Sequence, residues 1–200
     1  MDGSVPATHG IREDTLMART VTAHLFHAIN GSVESPDQWQ FDAFGPEEGE
    51  AMGRSLAGVT DVVIGRKLWQ EWADYWQHAG EGDPFGAFIN PVRKHVVTST
   101  LDDVSAWANS TAVDGDPVDY VRRLAGDGTD GGITVAGGID TVRSLFLAGV
   151  VDTLTLTTHP AIGTGRRLFD ESVPVTRLEL VDSTITPVGN AILTYRLRGE

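Results

Sequence analysis

The sequence predicts an α/β fold: one largely parallel sheet, flanked by helices and ending in an antiparallel hairpin. Three observations carry this expectation. Short apolar runs of strand type alternate with segments whose apolar residues recur at helical spacing. The stretch Gly132–Phe169, GITVAGGIDTVRSLFLAGVVDTLTLTTHPAIGTGRRLF, reads as strand, glycine turn, helix, strand. Near the C-terminus, Val175–Ile185 and Ala191–Leu197 alternate around Pro187-Val188-Gly189-Asn190, the pattern of a hairpin.

Taken in order, residues 1–17 mix Gly, Pro, Ser and charge without apolar periodicity, and are expected to form a flexible leader before one domain at 18–200. The first strand runs Arg19–Ala28, where Val21, Ala23 and Leu25 alternate with Thr22, His24 and Phe26. Asn30-Gly31 turns the chain into a loop carrying Trp39, Phe41 and Phe44. Pro46-Glu47-Glu48 opens a helix, with acids at the positive end of its dipole and Met52, Leu56 and Val59 as the expected buried stripe. Asp61–Gly65 is a short buried strand. The following helix, Arg66 to about Gln77, sets Leu68, Trp69, Trp72, Tyr75 and Trp76 on one face, an expected core stripe.

Residues 78–91 read as a loose connection to a strand at Lys94–Thr98, and 109–113 as another short strand. A helix after Pro117 turns Val118, Val121 and Leu124 inward. In the central unit, Ile133–Ala136 is a strand and Ile139, Val142, Leu145 and Phe146 share a helical face. Leu154 and Leu156 then alternate with Thr153, Thr155 and Thr157.

Composition narrows the function. A net charge of −13 argues against a nucleic-acid partner and against an anionic membrane surface, and no apolar run reaches spanning length. With no cysteine, disulfides, thiolate metal sites and cysteine nucleophiles are excluded, and a reducing cytoplasm fits. The histidines lack metal-ligand spacing, so no metal is expected; His24 and His27 point to opposite faces of their strand. A Gly-x-Ser-x-Gly elbow, a P-loop and a GxGxxG fingerprint are all missing.

Three strand ends remain: Gly65-Arg66-Lys67, Thr98-Ser99-Thr100 and Gly137-Gly138-Ile139-Asp140-Thr141. In an open α/β sheet ligands bind at the carboxyl ends of strands, so these cations, hydroxyls and glycines could hold one polyanion. The alternative is equally simple: solvated cations at a helix start, hydroxyls that cap turns, and a glycine pair that only makes a tight turn.

VVIGRKLWQEW resembles the strand, Gly-Arg, helix, Trp segment of dihydrofolate reductases. The Gly132–Phe169 stretch resembles the reductase domain of riboflavin-biosynthesis deaminase-reductases and the small stand-alone bacterial proteins related to both. The resemblance runs over about residues 19–198. It implies a dihydrofolate-reductase-like three-layer sandwich, hydride transfer with NADPH as cofactor, and a homodimer.

Carried across by residue, the resemblance implies that Gly65, Arg66 and Lys67 hold the 2′-phosphate and pyrophosphate, and that Thr98 and Ser99 add to the 2′-phosphate site. Gly137, Gly138, Ile139, Asp140 and Thr141 would cradle the pyrophosphate around a Gly-Gly peptide that is typically cis in the family. Asn30 replaces the family's frequent Asp in the first-strand motif. Trp39, Phe41 and Phe44 would wall the substrate, and Asp42 or Glu48 would donate a proton once burial raised its pKa. The expected function is an NADPH-dependent reductase of a small heterocyclic or carbonyl compound. A nucleotide-binding protein without turnover and a dimerisation scaffold that has lost the site stand as alternatives.

Overall fold

The computed structural model describes residues 18–41, 43–78 and 82–199, so the expected leader at 1–17 and the candidate acid Asp42 lie outside the described residues. The elements are β1 (Val21–Ala28), α1 (Pro46–Leu56), β2 (Val59–Gly65), α2 (Arg66–Trp76), α3 (Pro84–Ile89), β3 (Arg93–Val97) and β4 (Ser110–Ala112). They continue with α4 (Pro117–Ala125), β5 (Gly132–Gly137), α5 (Ile139–Leu147), β6 (Thr153–His159), β7 (Leu178–Ile185) and β8 (Ala191–Leu197). One eight-stranded sheet has the order β4-β3-β2-β5-β1-β6-β8-β7. The strands from β4 to β6 in that order are parallel, and β8 and β7 add the antiparallel hairpin. This is the α/β architecture that the sequence predicts.

Alternation along each strand sorts the two faces. Val21, Ala23, Val63, Ile133, Val135, Leu154 and Leu156 join Val142, Leu145 and Phe146 of α5 and Val121 of α4 in one core. Val62, Ile64 and Val96 face the other way and pack with Trp69 and Ala73 of α2 and Ile89 of α3. The layers are therefore α1, α2 and α3, then the sheet, then α4 and α5.

Three expectations need correction. The connection at 78–91 contains α3, which starts because Asp83 caps the N–H groups of Phe85 and Gly86 and Pro84 opens the first turn. The buried residues of α1 are Glu48 and Ala51, while Met52 and Leu56 are half-buried and Val59 already belongs to β2. The aromatic stripe of α2 divides: Trp69 is core at 4 % exposure, Tyr75 is exposed at 64 %, and Trp72 and Trp76 face a cleft.

Two buried charges brace the amino-terminal end of the sheet. Asp61 accepts from Arg93 at 2.8 and 2.7 Å, from His95 at 2.8 Å, from Thr60 and from the buried Arg19. Lys94 donates to the carbonyls of Asn90, Val92 and Ala108 and lies over the Trp107 ring at 4.6 Å. No helix among the described residues is long and apolar enough to cross a membrane.

Candidate active site

A cleft of about 760 Å³ opens beside the carboxyl ends of β1 and β5, between α1 and the α2–α3 pair. At one end, two helix N-termini meet. The N-caps of α2 and α5 are Gly65 and Gly138, and neither helix has a side-chain cap. By contrast, Asp83 and Asp116 cap α3 and α4, and the Glu48 carboxylate takes the Gly45 N–H at the start of α1. Uncapped first-turn N–H groups seek an acceptor, and here two sets converge.

The glycines are required by that convergence. A Cβ on Gly65 would lie 2.9 Å from Thr141 Oγ1 and 3.1 Å from the Gly138 nitrogen. Gly137 has φ +148°, and a Cβ there would meet Leu68 at 2.6 Å. A Cβ on Gly138 would meet nothing of the chain within 4 Å, so its surroundings are open to a ligand. Every peptide bond among the described residues is trans, Gly137–Gly138 included; the turn from β5 into α5 is made by the φ of Gly137 rather than by a cis bond.

Of the expected anion-binding residues, Lys67, Gly137, Gly138 and Ile139 line the cleft. Arg66 stands at the start of α2 and donates to Gln70 at 3.0 Å. Thr98 Oγ1 accepts the N–H groups of Thr100 and Leu101, so it caps a turn, and Ser99 is exposed. Asp140, in the first turn of α5, pairs with Arg166 at 2.6 Å, which holds its carboxyl below the usual value. Arg166 itself lines the cleft. It arrives from the β6–β7 loop, which is tied to the β1 loop by the Ser32–Arg167 bridge and by the Val33 N–H to Arg166 carbonyl bond at 3.0 Å. The basic pair Arg166-Arg167 was the available sequence signal for that cation.

The expected substrate residues scatter. Phe44 lines the cleft and meets Phe26 edge-on at 6.0 Å. Trp39 is only 3 % exposed, donates to the Glu34 carbonyl and packs edge-on to His159, so it supports the wall from behind. Phe41 is 79 % exposed and Asn30 is bonded at both ends of its amide to Gly163, and neither lines the cleft.

Glu48 does not fit the expectation of a proton donor with a raised pKa. Burial pushes its carboxyl up, but hydrogen bonds from Thr186, Asn190 and the Gly45 N–H pull it further down, below the usual carboxylate value. It is 1 % exposed and serves α1 and the β7–β8 turn. The acids that line the cleft among the described residues are Glu34, Asp37 and Glu71, which no spacing in the sequence singles out.

One polar chain on the cleft wall escaped the sequence reading. Ser55 donates its hydroxyl hydrogen to the Met52 carbonyl at 2.8 Å, so its oxygen accepts from His24 Nδ1 at 3.3 Å. That leaves His24 Nε2 to accept the Thr157 hydroxyl at 2.8 Å. The imidazole is neutral in this arrangement, and burial lowers its pKa to about 4.

A family model described as the RibD C-terminal domain matches residues 19–193. Solved structures share the fold. A putative riboflavin biosynthesis protein from Shewanella sp. PV-4 superimposes with a TM-score of 0.71 at 16 % identity, over 90 % of this chain and 99 % of that one. A pyrimidine reductase-like protein from Corynebacterium diphtheriae gives 0.63 at 15 % identity, over 96 % and 97 %. Dihydrofolate reductase from Enterococcus faecalis, complexed with NADP(H), gives 0.58 at 16 % identity, over 90 % and 97 %. No curated protein sequence matches the chain significantly.

Proposed function

We propose, because the chain belongs to the RibD C-terminal domain family, that it is a reductase using NADPH to reduce a small heterocyclic or carbonyl-containing compound. One observation carries the cofactor assignment: the uncapped N-termini of α2 and α5 abut at Gly65 and Gly138, on a cleft that also holds Lys67 and Arg166. In a chain of net charge −13, an anion needs this kind of local cationic pocket.

When bound, the reduced nicotinamide supplies a hydride to an electrophilic carbon of the substrate. The residues of the chain position and shield. Gly65, Lys67, Gly137 and Gly138, with the first turn of α5 at Ile139 and Thr141, hold the pyrophosphate, while Arg66, Thr98 and Ser99 hold the 2′-phosphate. Phe26 and Phe44 keep water from the reacting face, and the proton that completes the reduction comes from solvent, since Glu48 is committed to α1. The complex of Enterococcus faecalis dihydrofolate reductase with NADP(H) supports the same cofactor here. Under this reading the protein works in the cytoplasm, as a homodimer acting on a small molecule.

Calorimetric titration with NADPH and NADH, followed by a substrate screen that reads NADPH oxidation, tests the proposal. Tighter binding of NADPH and turnover with at least one compound are expected; failure to bind either nucleotide overturns it. Nucleotide binding without turnover is the second reading, favoured by the withdrawal of Glu48 from the cleft. Binding of NADPH with no oxidation by any compound in the screen would establish it.

A further inference from the structure

The two ends of the cleft differ in chemistry. The cations among its described lining residues are Lys67 and Arg166, and both belong to the glycine end. Lys67 follows Gly65, which abuts Gly138, and Arg166 pairs with Asp140 in the first turn of α5. The other end lies between α1 and the α2–α3 pair. There Phe44 and Met52 face Trp72, Trp76, Phe85 and Phe88.

The rings on the α2–α3 side brace one another. Phe85 stands 5.3 Å from Trp72, nearly perpendicular, and 4.9 Å from Trp76. Such packing fixes their orientation and presents a rigid aromatic wall. His24 and Ser55, polar groups on the α1 side of the cleft, are neutral and already bonded to Thr157 and to the Met52 carbonyl. Beyond Lys67, α2 presents Glu71 to the cleft, which repels an anion.

We propose, resting on the reductase reading for the glycine end, that this aromatic end takes the substrate and that the substrate class is an uncharged, planar, fused-ring aromatic compound. A flat apolar ring system gains burial and edge or face contacts with Trp72, Phe85 and Phe44. A phosphorylated sugar would bring a second anion to a cleft whose described lining already carries Glu34, Asp37 and Glu71, with its cations, Lys67 and Arg166, beside the glycine end. Desolvating that anion there is unfavourable.

The test uses the full chain, and its naphthol titrations need no nicotinamide cofactor. 2-Naphthol, a neutral two-ring probe, is titrated by calorimetry and by quenching of tryptophan fluorescence, alone and with uridine 5′-monophosphate present. One-to-one binding that survives the nucleotide monophosphate is expected, weakened by about tenfold in Trp72→Ala and in Phe44→Ala. Phe44 lies outside both hydrophobic cores, so its variant carries the test if Trp72→Ala does not fold. Displacement of naphthol by uridine monophosphate, no binding at all, or a change of less than about twofold in the folded variants overturns the proposal. Naphthol binding as expected in a protein that binds no NADPH would sink the reductase reading alone.

Discussion

The Asn190 side-chain amide donates to Glu48 Oε1 at 2.8 Å and to the Ala43 carbonyl at 2.7 Å, and so ties the first turn of α1 to the turn between β7 and β8. Both residues are fully buried. Glu48, one of the two carboxylates expected from sequence to donate a proton, is therefore held in a structural clasp.

Glu48→Gln is expected to lower stability by about 1–3 kcal/mol, because the Gly45 N–H and the Asn190 amide lose a charged acceptor. Turnover per folded molecule should change little. Urea denaturation read alongside kcat decides the point: a large loss of kcat with unchanged stability would restore Glu48 as the proton donor.

Asp61→Asn removes the carboxylate that faces Arg19, whose side chain is 3 % exposed, and should cost about 3–5 kcal/mol. Burial would raise the Asp61 pKa, but hydrogen bonds from Arg93, His95, Arg19 and Thr60 hold it far below the carboxylate range. A folded pKa below the unfolded one gives stability that is complete above about pH 4 and is lost as the pH falls below it. Wild type should lose stability steeply below that pH, and the variant less steeply, in denaturation measured from neutral to acid pH.

Lys94 has the same sign, in an alkaline window. Its burial lowers the pKa from 10.5 to about 8, so between those values the unfolded chain binds more protons than the folded one. Stability from this group rises with pH across that window. Lys94→Met should abolish the rise, and it should cost about 1–3 kcal/mol at neutral pH by leaving the Asn90, Val92 and Ala108 carbonyls without their donor. Denaturation midpoints at a series of alkaline pH values check both effects.

Arg66→Ala should weaken NADPH binding by about ten- to a hundredfold, the value of a charge-assisted contact of roughly 1.5–3 kcal/mol, while changing NADH little. The guanidinium is engaged only by Gln70 among the described residues, so it is free to turn to a phosphate. Titration of both nucleotides into wild type and variant is the measurement. Equal losses for both would mean that Arg66 does not read the 2′-phosphate.

A homodimer is expected in solution. Strand β7 is an edge of the sheet, with Leu180, Val181 and Ile185 exposed at 52, 49 and 73 %. Light scattering at micromolar concentration should give twice the chain mass; a single 21.5 kDa species would overturn this.

The sequence by itself determined the elements whose signal is local. The alternation of Val21, Ala23 and Leu25 with Thr22, His24 and Phe26 fixes which face of β1 is core, because successive side chains of a strand point to opposite sides. Gly137-Gly138 before Ile139, Val142, Leu145 and Phe146 marks a strand passing into a helix. Gly65-Arg66-Lys67 marks another such turn, and both places lie on the cleft. Tertiary structure alone decided which groups meet. Sheet order sets β2 beside β5, so Gly65 reaches Gly138; it brings Asp61 to Arg19, and Asn190 to Glu48. Those pairings engaged Glu48, one of the two acids expected to be catalytic, and the same packing brought Arg166, Trp72 and Phe85 to the cleft. Periodicity follows from the backbone geometry of a few neighbouring residues, whereas contacts between distant segments depend on how whole layers stack, which no local spacing encodes.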